Sequence, residues 1–141
     1  MSNPELQRDP VVLRLAAALC GLSVVIGAFG AHGLEGWLTE RFAGDLAKVT
    51  AALAWWETGA RYQMFHGLAL LALGAAGWSS RGFAWATVFG AFLFSGSLYG
   101  LALGGPGSIL GPVTPIGGLL WIGLGTRLFF RPVFGRSSSP S

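Results

Sequence analysis

The sequence predicts an all-α membrane protein: a bundle of four transmembrane helices with an amphipathic helix in the outer loop. Three observations lead to this fold class. Of the 141 residues, 52% are hydrophobic and only 11% are charged, whereas soluble domains carry roughly 25% charged residues. The charged residues are confined to the ends of long apolar runs. The longest of these runs is divided by prolines and glycines.

The apolar runs determine the number of predicted spans. Residues 15–34, 62–80 and 82–126 contain no Asp, Glu, Lys or Arg. A helix needs about 20 apolar residues to cross the hydrocarbon at a rise of 1.5 Å per residue, so the first two runs hold one span each and the third holds two. The prolines and glycines of GGPGSILGPVTP, residues 104–115, break the third run. The predicted spans, within a single domain of residues 1–130, are residues 15–34, 62–78, 83–103 and 113–130.

The loop between the first two spans has the pattern of an amphipathic helix. In DLAKVTAALAWWETGARYQ the apolar residues recur at helical spacing, and Asp45 is suited to an N-cap. These features predict a helix over residues 45–60 that lies on the outer interface. Alternatively, this helix continues into the second span, because no proline separates them. Glu57 and Arg61 are four residues apart, which predicts a solvated ion pair on one helix face.

The distribution of basic residues predicts the orientation, because basic loops stay on the cytoplasmic side. With the N-terminus inside, the inner segments hold six basic residues and the outer segments hold three: Arg8, Arg14, Arg81, Arg127, Arg131 and Arg136 against Arg41, Lys48 and Arg61. Both termini are therefore predicted to be cytoplasmic, in a bacterial inner membrane, with residues 131–141 as a flexible tail. A cleaved signal is disfavoured, because the apolar run is longer than the usual signal core and no convincing small-x-small cleavage site precedes the polar loop. The net charge of +3 reflects this orientation and does not indicate nucleic-acid binding.

Polar side chains are predicted to gather at the outer end of the bundle. His32 and His66 lie near the outer ends of consecutive antiparallel spans, so they are predicted to share a depth and to approach each other. A helical wheel of the second span places its polar residues within one wedge, which we expect to face inward. The predicted ligand-binding cluster comprises His32, Thr58, Tyr62, Gln63, His66, Ser95, Tyr99 and Thr114.

Two explanations for this cluster remain open. Polar groups within lipid are costly unless they are paired, so the cluster either fixes helix order through hydrogen bonds or holds a ligand such as haem, quinone, a metal or a lipid headgroup. His32 and His66 could ligate haem axially. Two histidines make an incomplete zinc site that would need Glu35 or Glu57, so no metal site is predicted. The single cysteine, Cys20, excludes internal disulfides and cysteine zinc sites.

Small residues are predicted to mediate helix packing. In the first span, a face of mostly small residues includes His32, which is therefore predicted to point into a helix seam. We expect the first and third spans to pack closely through glycines: Gly21, Gly27 and Gly30 in the first span, and Gly96 and Gly100 in the third. Tryptophans are expected at the headgroup level, with Trp37, Trp55 and Trp56 at the outer boundary and Trp78 and Trp85 at the inner one.

Four motifs in order resemble one known family. GAFGAHGL, WETGARYQMFHGLALL, FSGSLYGLAL and VTPIGG are similar to segments of the small membrane proteins of the domain of unknown function 423 family, which includes YgdD-like and transmembrane protein 256-like proteins. The resemblance covers about residues 15–130. It implies a four-span protein of an inner or organellar membrane with no established activity. No catalytic residue can be carried over from it.

The function predicted from these features is that of a non-enzymatic membrane protein, either an accessory subunit or a helix-docking protein. Its expected partners are the lipid bilayer and a larger membrane complex or a second copy of the chain. One alternative is a binder of haem, quinone or lipid at the polar cluster. A small transporter is disfavoured because no charged residue is predicted near the midplane of a span. An enzyme would use His32, His66, Tyr62 and Tyr99, with Glu57 in support, but the sequence shows no nucleophile with its base and no complete metal set.

Overall fold

The computed structural model describes residues 8–78 and 80–130 as a series of helices joined by short turns. The five helices, in order, are α1 (Pro10–His32), α2 (Leu34–Arg41), α3 (Leu46–Ala75), α4 (Arg81–Ala102) and α5 (Gly107–Phe130). This order confirms the predicted all-α class. The predicted tail, residues 131–141, lies outside the described residues.

Three of these helices have both the length and the apolar composition needed to cross a membrane. They are α1, α4 and α5. With 30 residues, α3 is the longest helix, about 45 Å at 1.5 Å per residue. It also carries Arg61, Gln63 and His66, which lower its mean hydropathy. Hydropathy within the described residues therefore identifies three spans rather than the predicted four.

The outer loop differs from the predicted arrangement of a separate interfacial helix. Residues 46–60 form the first half of α3, which continues without a break to Ala75, as the alternative interpretation allowed. Asp45 is the N-cap, as predicted: its carboxylate accepts a hydrogen bond from the Lys48 backbone amide at 3.2 Å. The Lys48 ammonium lies 3.0 Å from the same carboxylate. Hydrogen bonding to Lys48 lowers the pKa of Asp45 below its usual value.

The short helix α2 explains why the first half of α3 stays attached to the bundle. Leu34 and Leu38 of α2 are fully buried in a cluster with Val49 and Ala52 of α3. The sequence analysis did not predict α2, because eight residues with four charged or polar side chains give no clear apolar stripe. The end of the bundle formed by α2 and the start of α3 thus has its own small hydrophobic core.

The start of the last helix also differs from the prediction. It begins at Gly107, six residues before the predicted start at residue 113, and contains Pro112 and Pro115. Each proline removes one backbone hydrogen bond and would break most helices in water. Membrane helices tolerate proline when neighbouring groups satisfy the freed backbone. Here the Thr114 hydroxyl donates to the Leu110 carbonyl at 3.2 Å, which adds a side-chain hydrogen bond in this turn.

α1 and α3 pack antiparallel along nearly their whole length. Three glycines mark the register: Gly74 of α3 lies against Val12, Gly67 lies against Cys20, and Gly30 of α1 lies against the Trp56 ring. An added Cβ would lie 3.1, 2.8 and 2.6 Å, respectively, from atoms of these residues. Close approach of this kind is how helices associate in lipid, where burial of apolar surface gives little driving force.

The predicted close packing of the first and third spans is not the main contact. α3 packs between α1 and α4, and α5 packs on α4. An added Cβ at Gly21 or Gly27 would have no neighbour within 4 Å, and one at Gly96 would meet only Phe92 of its own helix. Gly30 and Gly100 do make close contacts, with Trp56 and Leu110 respectively. The face of α1 that contains Gly21 and His32 is exposed, because a different stripe, Val12, Ala16, Leu19 and Ser23, forms the buried face.

Asp9 joins the N-terminal ends of α1 and α4. One carboxylate oxygen accepts the Val11 amide at 2.9 Å, and the other accepts Arg81 Nε at 2.7 Å. The Arg81 hydrogen bond is the main cause that lowers the pKa of Asp9. A carboxyl with a lowered folded-state pKa stabilises the fold above its unfolded pKa of about 3.9 and loses that contribution as pH falls through the folded pKa.

We therefore expect thermal stability in detergent to fall below about pH 4 in part through Asp9. Asp9→Asn keeps an oxygen for the helix cap but has no charge, so its pH dependence in this range should be weaker than that of the unmodified chain. Asp9→Ala should be less stable than Asp9→Asn at pH 7, because it loses the cap as well. Identical acid profiles for the Asn variant and the unmodified chain would refute this role.

Candidate functional site

Gln63 is the centre of the polar cluster that the sequence predicted. Its side chain is only 4% exposed. Its amide nitrogen donates to the Leu19 carbonyl at 3.2 Å. Its amide oxygen accepts the Tyr99 hydroxyl at 3.2 Å. One side chain of α3 is therefore bonded to both neighbouring helices, α1 and α4.

Trp56 extends this contact toward the end of the bundle at which α2 lies. Its indole N–H donates to the Ile26 carbonyl at 2.9 Å, and its ring centroid lies 4.9 Å from that of Tyr99. Trp56 was predicted to lie at the headgroup boundary, and the structure shows a buried side chain that is only 8% exposed. Gly30 leaves the space for this ring on α1. Trp37 and Trp55 remain exposed, at 43% and 41%.

A second polar contact joins α4 to α5. The hydroxyl oxygens of Ser97 and Thr114 lie 2.7 Å apart. Because the Thr114 hydroxyl donates to the Leu110 carbonyl, Ser97 is the donor of this bond, and its oxygen also lies 2.9 Å from the Phe94 carbonyl. Thr114 was predicted as a cluster member, whereas Ser97 was not, because it lies on a different face of the helix from Ser95 and Tyr99. Ser95 is fully buried on α4, and its hydroxyl has no hydrogen-bond partner within the part of the chain that the structure describes.

His66 lies against an aromatic side chain that the sequence analysis did not select. Its ring stacks on that of Trp121 of α5, with centroids 3.5 Å apart and planes 9° from parallel. His66 Nδ1 lies 2.9 Å from the Tyr62 carbonyl. The Trp121 indole N–H donates to the Thr87 carbonyl at 3.1 Å. Neither Trp121 nor Thr87 could be assigned from one sequence, because both lie in uninterrupted apolar runs without a distinguishing motif.

An open groove runs beside this stacked pair. Its volume is about 370 Å³, and its lining residues are Tyr62, His66, Phe94, Gly118, Trp121 and Ile122. Tyr62 is 43% exposed here and packs on Phe94, with ring centroids 5.2 Å apart. The polar residues of α3 that were predicted to face inward together therefore fall into two groups. Gln63 and Gly59 are buried, while Tyr62 and His66 reach the surface between α3 and α5.

The two histidines are not brought together. His32 is the exposed last residue of α1, whereas His66 precedes Gly67, which packs against Cys20 of α1. Twelve residues of α1 separate Cys20 from His32, a distance of roughly 18 Å along the helix. The prediction that His32 and His66 share a depth is wrong, because α3 begins at Leu46, well before the charge-free run that starts at residue 62. His66 therefore lies in the second half of α3, not near its start. A haem held between both rings does not fit this geometry.

The other candidate residues, Thr58 and Glu57, do not form a metal site. Thr58 is partly buried. The described residues contain no group of three or more His, Cys, Asp and Glu side chains placed to hold a metal ion. Glu57 and Arg61 form the predicted i, i+4 ion pair on the surface of α3. The hydrogen bonds of the cluster thus connect neighbouring helices, and His66 and Tyr62 are its members beside the open groove.

Comparison with known proteins places this arrangement within a family. Residues 26–118 match the family model described as a protein of unknown function (DUF423). A UPF0382 membrane protein of Staphylococcus epidermidis is 44% identical over 116 residues, which cover 79% of this chain and 86% of the relative. The UPF0382 membrane protein YwdK of Bacillus subtilis is 38% identical over 120 residues, which cover 79% and 87%.

Similarity extends to eukaryotes. A UPF0382 membrane protein of Schizosaccharomyces pombe is 41% identical over 117 residues, which cover 75% of this chain and 88% of the relative. No solved structure matches. The matched segment includes Gln63, His66 and Tyr99. The chain therefore belongs to the DUF423 family of membrane proteins of unknown function.

Proposed function

We propose that this protein crosses the membrane four times, with α3 as the fourth span, and serves as a non-enzymatic helix-docking or accessory subunit. The main support for α3 as a membrane span is its antiparallel packing against α1, which extends from Val12 beside Gly74 to Gly30 beside Trp56. A helix that pairs with a membrane span over this length lies at the same depth. Its polar residues lower its hydropathy without moving it out of the membrane.

Exposed apolar side chains support the same arrangement. Each long helix presents large hydrophobic residues on its surface, for example Val25 on α1, Leu68 on α3, Phe92 on α4 and Leu119 on α5, which are 66%, 49%, 71% and 67% exposed. Contiguous exposed apolar surface of this kind is typical of lipid or partner contact. With α3 included, all four helices have such a face.

The use of the polar side chains supports a structural role rather than catalysis. Gln63, Tyr99, Ser97 and Thr114 are hydrogen-bonded to neighbouring helices. Such bonds fix helix order in a membrane bundle. Both termini lie on the cytoplasmic side of a bacterial inner membrane in this proposal. The excess of basic residues in the segments predicted to face the cytoplasm supports this orientation.

Cysteine labelling tests the four-span arrangement. In a Cys20→Ala background, Gly36→Cys and Gly82→Cys place thiols where an added Cβ meets nothing within 4 Å. A membrane-impermeant maleimide should label Gly36→Cys in intact cells and Gly82→Cys only after permeabilisation. Labelling of both from the same side would overturn the four-span arrangement. Labelling in the reverse order would keep four spans but overturn the orientation. Mild extraction of the tagged chain from its native membrane should yield an assembly larger than 14.7 kDa.

A second candidate function is binding of a quinone or a lipid in the groove of about 370 Å³ between α3 and α5. It is favoured by the flat, stacked rings of His66 and Trp121 at the groove wall. Mass spectrometry of the purified protein should then detect a retained quinone or lipid that is lost in His66→Leu and partly kept in His66→Gln, which retains hydrogen-bonding capacity. Equal retention in all three proteins would rule out this site.

A further inference from the structure

His66 uses one ring nitrogen for a hydrogen bond to its own helix. Nδ1 lies 2.9 Å from the Tyr62 carbonyl, and a carbonyl oxygen can only accept a hydrogen bond. In the neutral ring Nδ1 therefore carries the proton, and the other nitrogen, Nε2, has a lone pair that can only accept. This contact determines which kind of group the free side of the ring can bind.

Nε2 receives no hydrogen bond from residues 8–78 or 80–130. Two donors that line the cavity next to His66 are already used. The Trp121 indole donates to the Thr87 carbonyl at 3.1 Å, and the Thr87 hydroxyl donates to the Phe83 carbonyl at 3.0 Å. The Nε2 lone pair is therefore available to a molecule from outside the chain.

His66 lies level with the middle of two helices that are long and apolar enough to cross a membrane, α1 and α4. The next residue, Gly67, packs against Cys20, one residue from the midpoint of α1. Trp121, which stacks on His66, packs against Gly90, within two residues of the midpoint of α4. In a hydrocarbon core of about 30 Å, this level is about 15 Å from either headgroup region. An acceptor without a partner is costly at this depth.

The groove beside His66 has the size and the lining for a flat ring. Its volume of about 370 Å³ is at the small end of the range of about 300 to 1,000 Å³ for ligand pockets. The rings of Tyr62, Phe94 and Trp121 line it, and aromatic rings pack favourably on one another. His66 and Trp121 are stacked with centroids 3.5 Å apart, so a ligand ring would lie beside the pair and not between its members.

The free lone pair also distinguishes between ligand classes. A metal ion would need further ligands, and the part of the chain that the structure describes contains no group of three side chains placed to supply them. A hydroxyl group needs only one acceptor. The ring oxygens of a quinone can only accept hydrogen bonds, whereas the hydroxyl groups of the reduced form, a quinol, can donate to Nε2.

We propose that the groove between α3 and α5 selects a flat ligand with a hydroxyl donor, such as a quinol, because His66 offers Nε2 to it as an unpaired acceptor. This inference rests on the groove binding described above as the second candidate function, and it names the chemical class of the ligand. The groove binds a quinol more tightly than the corresponding quinone.

NMR of ¹⁵N-histidine in the full-length protein tests the state of the ring. The chain has two histidines, so loss of signals in His66→Phe assigns those of His66. In phosphatidylcholine nanodiscs, we expect a protonated Nδ1 and an unprotonated Nε2. Naphthol, a flat ring with one hydroxyl donor, should shift the Nε2 signal toward that of a protonated nitrogen. Methoxynaphthalene, the same ring system without the donor, should leave it unchanged. A proton on Nε2 instead of Nδ1 would overturn the proposal.

Affinities for the same two probes give a second measurement, with empty nanodiscs as the reference for partition into lipid. The unmodified protein should bind naphthol about tenfold more tightly than methoxynaphthalene, because the probe without a hydroxyl leaves the acceptor unpaired. His66→Phe keeps an aromatic ring beside Trp121 but has no acceptor, so it should bind both probes alike. A preference for naphthol that persists in a monodisperse His66→Phe would mean that His66 is not the acceptor.

The results separate this inference from the groove binding on which it rests. Equal affinity of the unmodified protein for the two probes would overturn selection of a donor and leave the groove as a binding site. Binding of neither probe would overturn both. The measurements on the unmodified protein decide these outcomes without any variant, so they hold even if His66→Phe does not fold.

Discussion

Replacing Gly117 with alanine is expected to destabilise the bundle by about 1 to 3 kcal/mol through overpacking. An added Cβ at this position would lie 2.9 Å from the Phe94 Cα and closer still to the Phe94 backbone nitrogen. Backbone atoms of a helix cannot move away singly, so α4 and α5 would have to separate. Thermal unfolding in detergent, followed by tryptophan fluorescence, measures the effect.

The adjacent residue provides the matched control. An added Cβ at Gly118 would meet only the Phe94 ring, at 3.6 Å, which is an ordinary van der Waals contact. Gly118→Ala has the same change in composition and helix propensity, so the difference between the variants isolates the close approach. Equal stability of Gly117→Ala and Gly118→Ala would mean that α4 and α5 do not pack as described.

The glycine contacts show what one sequence can and cannot predict about packing. The sequence correctly indicated that small residues bring these helices together, and Gly30 and Gly100 do make close contacts. It did not identify Gly67, Gly90 or Gly117, because a glycine becomes a packing site only through the side chain or backbone of a neighbouring helix. The helix order therefore had to be known first. The sequence analysis favoured α1 with α4, whereas the structure places α3 between them.

The error in the second span has a related cause. Charge-free runs predicted the positions of α1 and α4 to within about five residues, because charged residues lie near the ends of these helices: Arg14 in the second turn of α1, Glu35 shortly after its end, and Arg81 at the start of α4. The same rule failed for α3, whose buried stripe continues from Leu70 through Gln63 to Val49. A charged pair on the opposite face of a helix does not end the helix. Periodicity of the buried face was the better signal here, and it continued through residues 46–61.

The polar cluster was partly predictable for a physical reason. Gln63 and Tyr99 were found because polar groups within an apolar helix need partners, and each provides the partner of the other. Trp121 was missed because its burial depends on Gly90, which leaves space for the indole ring on α4. The residue type alone favours an interfacial position with an exposed side chain, and Trp85 is exposed on the surface of α4.

Trp121→Ala is expected to have the largest effect of any single substitution, a loss of about 3 to 5 kcal/mol. The indole is only 6% exposed and contacts α3 through the His66 ring and α4 through Phe94 and the Thr87 carbonyl. Its removal leaves a cavity where three helices meet and leaves the Thr87 carbonyl without this donor. Thermal unfolding in detergent should therefore show a much lower midpoint than that of the unmodified chain.

Two further variants determine the origin of this effect. Trp85→Ala removes an indole that is 57% exposed, so it should change stability by much less. Trp121→Phe keeps an aromatic ring against His66 but lacks the N–H donor, and its cost should be about 1 kcal/mol from the hydrogen bond, with a further contribution from the smaller ring. If Trp121→Ala and Trp85→Ala lowered the unfolding midpoint equally, Trp121 would not be the side chain that joins α3, α4 and α5. The stacking of His66 on Trp121, and with it the groove wall proposed to bind a quinone or lipid, would then lose its structural basis.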